Sequence, residues 1–130
     1  MKTILIVDDA ATIRMYYRQT FEQAGYAVGE AVNGLEALEK ALLTTYDLYV
    51  VDINMPKLDG YAFLRELRGR DMEQAPAIMI STEARGSDMV RAFEAGANLY
   101  LVKPIKPDQL LLHTRLLIGS AGQEEMGVNR

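Results

Sequence analysis

Four consecutive apolar residues, Leu48-Tyr49-Val50-Val51, run straight into a charge at Asp52. A run this short, rich in β-branched and aromatic residues and without polar alternation, predicts a strand covered on both faces. Such strands belong in the middle of a parallel sheet, with helices above and below. A carboxylate at the end of a buried strand is costly unless something offsets its charge. Pro56 and Gly60 then mark a loop, which leaves Asp52 at the mouth of a crevice. Taken alone, Asp52 is equally well read as a turn-capping residue.

The same alternation recurs along the chain. Residues 3–7 (TILIV) are a first apolar run ending at Asp8-Asp9. From Thr12, the predicted N-cap, Ile13, Tyr16, Tyr17, Phe21 and Ala24 follow helical spacing up to Gly25. Residues 26–32 predict a weaker strand nearer an edge, Asn33-Gly34 a turn, and Leu35, Leu38, Ala41 and Leu42 the stripe of a second helix. A third helix is expected from about Gly60, after Asp59, burying Phe63, Leu64 and Leu67, with loop over 69–76. Ala77–Ile80 predict a fourth strand ending at Ser81-Thr82, and about Ser87 to Ala95 a fourth helix with Val90 and Phe93 inward. Leu99–Val102 make a fifth strand ending at Lys103-Pro104; Pro107 suits the first turn of a last helix reaching about Ile118.

Five strand–helix units with short connections predict a single α/β domain over residues 1–118, a doubly wound five-stranded parallel sheet. Residues 119–130 (GSAGQEEMGVNR) are polar, Gly-rich and aperiodic, and are expected to be a flexible C-terminal tail or linker. A net charge of −4 argues against a nucleic-acid surface, and the absence of cysteine excludes a disulfide, a thiolate metal site and a thiol nucleophile. The apolar stretch after Met1 is too short for a signal peptide, and no run has membrane-spanning length, so a cytoplasmic location is expected.

Parallel strands all point the same way, so the residues at their carboxyl ends converge on one rim of the sheet. Those residues are Asp8 and Asp9, Asp52, Ser81 and Lys103. Three carboxylates gathered there repel one another unless a cation is present. A hard divalent ion with oxygen ligands is the natural remedy; Mg²⁺ (or Mn²⁺) fits, because it binds few carboxylates and reaches phosphate oxygens. Two cations and a hydroxyl around one carboxylate suit the transfer of a phosphoryl group, with Asp52 as the nucleophile.

With those residues in view, the chain resembles the CheY-like response-regulator receiver domains of two-component signalling. The likeness covers residues 1 to about 118 and rests on Asp8-Asp9, Asp52 in DINMPKLDG, Ser81 and Lys103-Pro104. It implies the flavodoxin-like (βα)5 fold with strand order 2-1-3-4-5. It implies Asp52 as phosphoacceptor for a histidine kinase, and Mg²⁺ held by Asp9, Asp52 and the Asn54 carbonyl, with Asp8 acting through water. Lys103 would contact the acyl phosphate across a cis Lys103–Pro104 bond. Tyr100 falls on the aromatic switch position, expected to swing inward as Ser81 moves toward the phosphoryl group. Asn54 and Glu83 occupy positions that tune dephosphorylation, so self-dephosphorylation is expected. The protein would then be a phosphoacceptor switch and not an enzyme acting on other molecules. Its partners would be a sensor kinase or phosphotransfer protein and a downstream protein target, with no nucleic acid or membrane bound directly. A stand-alone regulator, of chemotaxis or of a phosphorelay, is the expected setting; a receiver cut from a longer protein is the alternative.

Other chemistries fit the residues less well. A phosphatase of the haloacid dehalogenase type wants its nucleophile on the first strand and an acid two residues on, but Asp8 and Asp9 are adjacent. A flavin domain would need a neutral phosphate loop where Asp8 and Asp9 stand. A receiver that has lost its chemistry would not retain Asp52, Lys103 and the acidic pair. His113 is read as an ordinary surface or boundary residue. Arg14 and Arg18 are read as a solvated face, with Arg14 near enough to the crevice to steer an anion. On the last helix, Leu110, Leu111, Leu117 and Ile118 gather on one side, whereas Leu112 and Leu116 fall opposite. Those two leucines predict a partner or phosphorylation-dependent dimer patch on the face made by the fourth helix, fifth strand and fifth helix.

Overall fold

The computed structural model describes residues 1–122. Five strands, β1 (Thr3–Val7), β2 (Ala27–Ala31), β3 (Leu48–Asp52), β4 (Ala77–Ser81) and β5 (Leu99–Val102), alternate with five helices. The helices are α1 (Ala11–Gln23), α2 (Gly34–Leu43), α3 (Gly60–Arg68), α4 (Gly86–Ala95) and α5 (Pro107–Ile118). All strand pairs are parallel and the order is β2-β1-β3-β4-β5, the flavodoxin-like arrangement expected. β3 lies at the centre with every residue buried, as its unbroken apolar run requires.

The two-residue period of each strand sorts the core into two layers. Leu5, Val7, Tyr49, Val51, Ala77 and Met79 face α2, α3 and α4, while Ile4, Ile6, Leu48, Val50, Ile78 and Ile80 face α1 and α5. Register pairs such as Leu5↔Tyr49 and Val51↔Met79 keep each layer continuous across the sheet.

Helix phases depart from the sequence reading in two places. On α4, Val90 and Phe93 are 57% and 49% exposed, and the inward line is Ala92 and Ala95 beside the partly buried Met89. On α2, Ala37, Leu38 and Ala41 are buried, whereas Leu35 and Leu42 are each half exposed. Both helices offer two apolar lines at helical spacing, and the line with the smaller residues faces the sheet. Helix α1 also begins before Thr12: its N-cap is Ala10, without a side-chain cap, and Asp8 Oδ1 accepts from the Ala10 amide at 2.9 Å. Helix α3 starts where expected, with the Asp59 carboxylate accepting from the Ala62 amide at 2.8 Å.

Packing continues past Ile118. The Lys2 amide donates to the Ala121 carbonyl at 2.9 Å, the Tyr26 hydroxyl to the Gly119 carbonyl at 2.7 Å, and Ala121 is buried. Contacts with the core thus extend beyond the boundary read at 118. The remainder of the expected tail, residues 123–130, lies outside the described residues.

Candidate functional site

β1, β3, β4 and β5 bring the residue at or just past their carboxyl ends to the same rim. Asp8 follows β1, Asp52 ends β3, Ser81 ends β4, and Lys103 follows β5. Oxygens of Asp8, Asp9 and Asp52 lie within 4.8 Å of one another. Asp8 and Asp52 are buried, and Asp9 is exposed at the mouth. Lys103 reaches in above them, its Nζ 3.1 Å from Asp52 Oδ1 and 3.6 Å from Asp8 Oδ2. The Lys103–Pro104 bond is cis, as the family likeness implied, and the Lys103 amide donates to the Ser81 carbonyl at 2.8 Å. The ends of β4 and β5 are therefore locked side by side beneath the lysine.

Electrostatics follow from this crowding. Burial, and next the charge of Asp8, push the Asp52 carboxyl above its usual range, against the pull of Lys103. Burial and the same two acids also push the Tyr17 phenol up, since Tyr17 packs beneath the cluster from α1. One cation does not balance three carboxylates. Asp8 Oδ2 is, among the described residues, the one buried side-chain oxygen without a hydrogen-bond partner. A buried acceptor without a hydrogen bond, in a cluster with two further carboxylates, is a fit for a hard divalent cation.

The raised Asp52 carboxyl has a consequence for stability. The folded state holds that proton more tightly than the unfolded chain does, so ionising Asp52 costs stability. The cost sets in as pH climbs from the unfolded value of about 4 through the folded one, and it is fully present above both. In EDTA at neutral pH, Asp52→Asn is expected to melt a few degrees above wild type. The gap should close as pH falls below that window, or when Mg²⁺ is added to wild type. Thermal melts across pH check this, and a variant that melts lower throughout would contradict it.

The other predicted residues take distinct places. Ser81 is buried, and its Oγ accepts from the Glu83 amide at 3.0 Å. Asn54 and Glu83 are exposed, with Glu83 3.6 Å from the Arg85 guanidinium. Tyr100 is 8% exposed, and its hydroxyl donates to the Glu83 carbonyl at 2.7 Å, so the side chain already points inward. Leu112 and Leu116 are 54% and 74% exposed, on the opposite side of α5 from the buried Leu110 and Thr114. His113 is half-buried on α5 and is not part of the Asp8-Asp9-Asp52 group.

Arg14 and Arg18 are not a solvated face. Both guanidiniums bind Glu30, Arg14 Nε at 2.8 Å and Arg18 Nε at 2.5 Å, and Arg14 Nη1 also donates to the Asp8 carbonyl at 2.6 Å. The available signal was Glu30 itself, a charge inside an otherwise uncharged strand. A second unanticipated feature is Lys57, the one described non-glycine residue with positive φ, at 61°. It lies in the β3–α3 loop that follows Asp52.

Comparison with known proteins gives the same picture. The response regulator receiver domain family matches residues 4–115. Transcriptional regulatory protein ResD of Bacillus subtilis (strain 168) is 39% identical over 120 residues, covering 92% of this chain and 49% of ResD. SrrA of Staphylococcus aureus (strain NCTC 8325 / PS 47), also a transcriptional regulatory protein, is 35% identical over 115 residues, 88% of this chain and 47% of its own length. The chain thus spans about half the length of these curated relatives. Among solved structures, chemotaxis protein CheY4 of Vibrio cholerae superposes with a TM-score of 0.85 at 34% identity, covering 90% of this chain and 98% of that one. The receiver domain of a signal transduction histidine kinase from Syntrophus aciditrophicus gives 0.83 at 35% identity, covering 98% of each. No helix among the described residues is long and apolar enough to cross a membrane. By sequence and by fold, this chain belongs to the response regulator receiver domain family.

Proposed function

We propose that the chain is a phosphorylation-activated switch, in which Asp52 accepts a phosphoryl group from a phosphohistidine of a kinase or phosphotransfer protein, or from a small donor such as acetyl phosphate. The observation that carries this reading is Lys103 Nζ lying 3.1 Å from Asp52 Oδ1, above an acidic cluster that includes a buried oxygen without a hydrogen bond. A purely structural ion pair would not need two further acids beside it.

Asp8, Asp9 and Asp52, with the Asn54 carbonyl, would hold Mg²⁺ (or Mn²⁺). Bound there, the ion would offset negative charge on the phosphoryl oxygens. Asp52 attacks phosphorus through a carboxylate oxygen as the bond to the imidazole nitrogen, or to the acetate oxygen, breaks. The leaving group keeps that bond's electron pair. Lys103, released from Asp52 by the incoming group, pairs with a phosphoryl oxygen, and the Ser81 hydroxyl donates to another. Loss of the Asp52–Lys103 contact and movement of Ser81 bias a two-state equilibrium that includes Tyr100 and α4. Asn54 and Glu83, both exposed, would orient the water that removes the phosphoryl group.

Incubation with acetyl phosphate and Mg²⁺ should add the mass of one phosphoryl group to the intact chain, and EDTA should prevent it. No mass gain with either Mg²⁺ or Mn²⁺ would refute the proposal.

The output face in this reading is α4-β5-α5. Val90, Phe93, Leu112 and Leu116 leave it with more exposed apolar side chains than a monomer's helices need. The partner is a downstream protein, or a second copy once phosphorylated, in the cytoplasm. Leu112→Glu with Leu116→Glu should abolish that association while leaving phosphoryl uptake intact. Sedimentation of the phosphorylated chain checks the dimer, and unchanged association in every partner assay would remove the face from the reading.

A further inference from the structure

Arg14 ties the acidic turn to the edge of the sheet, a contact with no part in the reaction described above. Its Nη1 donates to the Asp8 main-chain carbonyl at 2.6 Å and its Nε to Glu30 Oε1 at 2.8 Å. Glu30 lies on β2 opposite Ile6 of β1, and Arg18, one helical turn beyond Arg14, holds its second oxygen. The Arg14 side chain is 14% exposed, so most of its length lies within the protein. Asp8 is correspondingly constrained. Its amide donates to the Ala31 carbonyl at 3.1 Å, its Oδ1 accepts from the Ala10 amide at 2.9 Å, and its carbonyl is taken by Arg14. Oδ2 alone is left without a hydrogen bond.

We propose that Arg14 is a positioning residue for the cation site: by gripping the Asp8 carbonyl it holds the Asp8-Asp9 turn with both carboxylates toward Asp52, and Glu30 in turn fixes Arg14. The inference rests on the reading of the acidic cluster as a Mg²⁺ site. Three carboxylates within reach of one another repel, so the turn relaxes outward unless the backbone is restrained. Restraint by a group outside the ligand set is typically worth about 10- to 100-fold in metal affinity.

The sign of the effect separates positioning from simple charge. Arg14 is a cation close to the acids, so by Coulomb's law alone its removal should tighten the binding of a divalent ion. Positioning requires the opposite. Arg18 provides the control, because it shares the Glu30 pair but has no contact with Asp8.

The test is Mn²⁺ titration of the full chain by water-proton relaxation, for wild type, Arg14→Met, Arg14→Lys and Arg18→Ala, with melts in EDTA alongside. Arg14→Met should bind Mn²⁺ about 10- to 100-fold more weakly. Arg14→Lys keeps the charge but supplies one contact in place of two, and should fall between. Arg18→Ala should stay close to wild type. Wild-type or tighter affinity in Arg14→Met overturns the inference while leaving the metal site standing. An equal loss in Arg18→Ala, tracking the EDTA melting temperature, also overturns it by reducing Arg14 to an ordinary structural pair. If wild type itself takes up no Mn²⁺, the metal-site reading fails first and this inference fails with it.

Discussion

Asp52→Asn is expected to take up no phosphoryl group from acetyl phosphate, and Lys103→Met to take it up about 100- to 1,000-fold more slowly than wild type. The two losses have different causes. The neutral amide of the first variant lacks the anionic oxygen that attacks phosphorus, so nothing at that position can form the new bond. The second variant leaves the nucleophile in place but withdraws the one positive charge that, among the described residues, lies within 4 Å of it, at 3.1 Å from Asp52 Oδ1. That charge does most when negative charge spreads over the transferring oxygens, in a site walled by Asp8 and the ends of β3 and β4. A time course of intact mass at saturating Mg²⁺ separates the cases. If Lys103→Met tracked wild type, the lysine would have no place in the chemistry. The same variant should be less stable than wild type in EDTA at neutral pH, because Asp52 is pushed further up once its cation is gone. Asp52→Asn moves stability the other way, so the pair of variants brackets the electrostatic cost of the metal-free cluster.

The second large effect is steric. Gly34→Ala would place a Cβ 2.3 Å from the Leu58 carbonyl oxygen, and Gly60→Ala one 2.6 Å from the Asp52 carbonyl oxygen and 2.9 Å from Ile53 Cα. Every one of these neighbours is backbone, so no rotamer change relieves the overlap. Each substitution is expected to cost about 3 kcal/mol, the upper end of what overpacking usually costs. Both glycines tie down the β3–α3 loop: the Gly34 amide donates to the Leu58 carbonyl at 3.0 Å, and the Gly60 amide to the Ile53 carbonyl at 2.9 Å. They should differ in function, however. Gly60→Ala displaces the very end of the strand that carries Asp52, so metal affinity should fall with stability. Gly34→Ala pushes on the loop from outside and should spare more of it. Urea unfolding and Mn²⁺ titration of both variants check this, and unfolding midpoints equal to wild type would contradict it.

What the sequence revealed and what it hid divide along physical lines. Residues at the ends of buried strands were legible, because an unbroken apolar run that stops at a charge leaves few places for that charge, and parallel strands bring such ends together. Asp8, Asp52 and Lys103 follow from that logic, and their distances agree with it. Helix phase was less legible wherever two apolar lines competed. On α4 the bulkier Val90 and Phe93 suggested the inner face, yet the sheet accommodates Ala92 and Ala95. Side-chain-to-backbone contacts left no periodic trace. The start of α1 is set by Asp8 and Ala10 in place of the Thr12 hydroxyl, and the grip of Arg14 on Asp8 depends on a carbonyl that no residue pattern encodes. Ala121 was read as tail because its neighbours are polar, but its small side chain fits against Gly25.

The hydrogen bond from Lys2 to Ala121 also has a practical use. Positions 2 and 121 meet at the pole of the sheet farthest from the acids. A fluorescent reporter fused at either position would stand clear of the carboxylate rim. A short peptide joining them would give a circular permutant whose new ends could be opened in the exposed stretch 69–71, clear of the Tyr49–Pro76 hydrogen bond that begins the β3–β4 pairing.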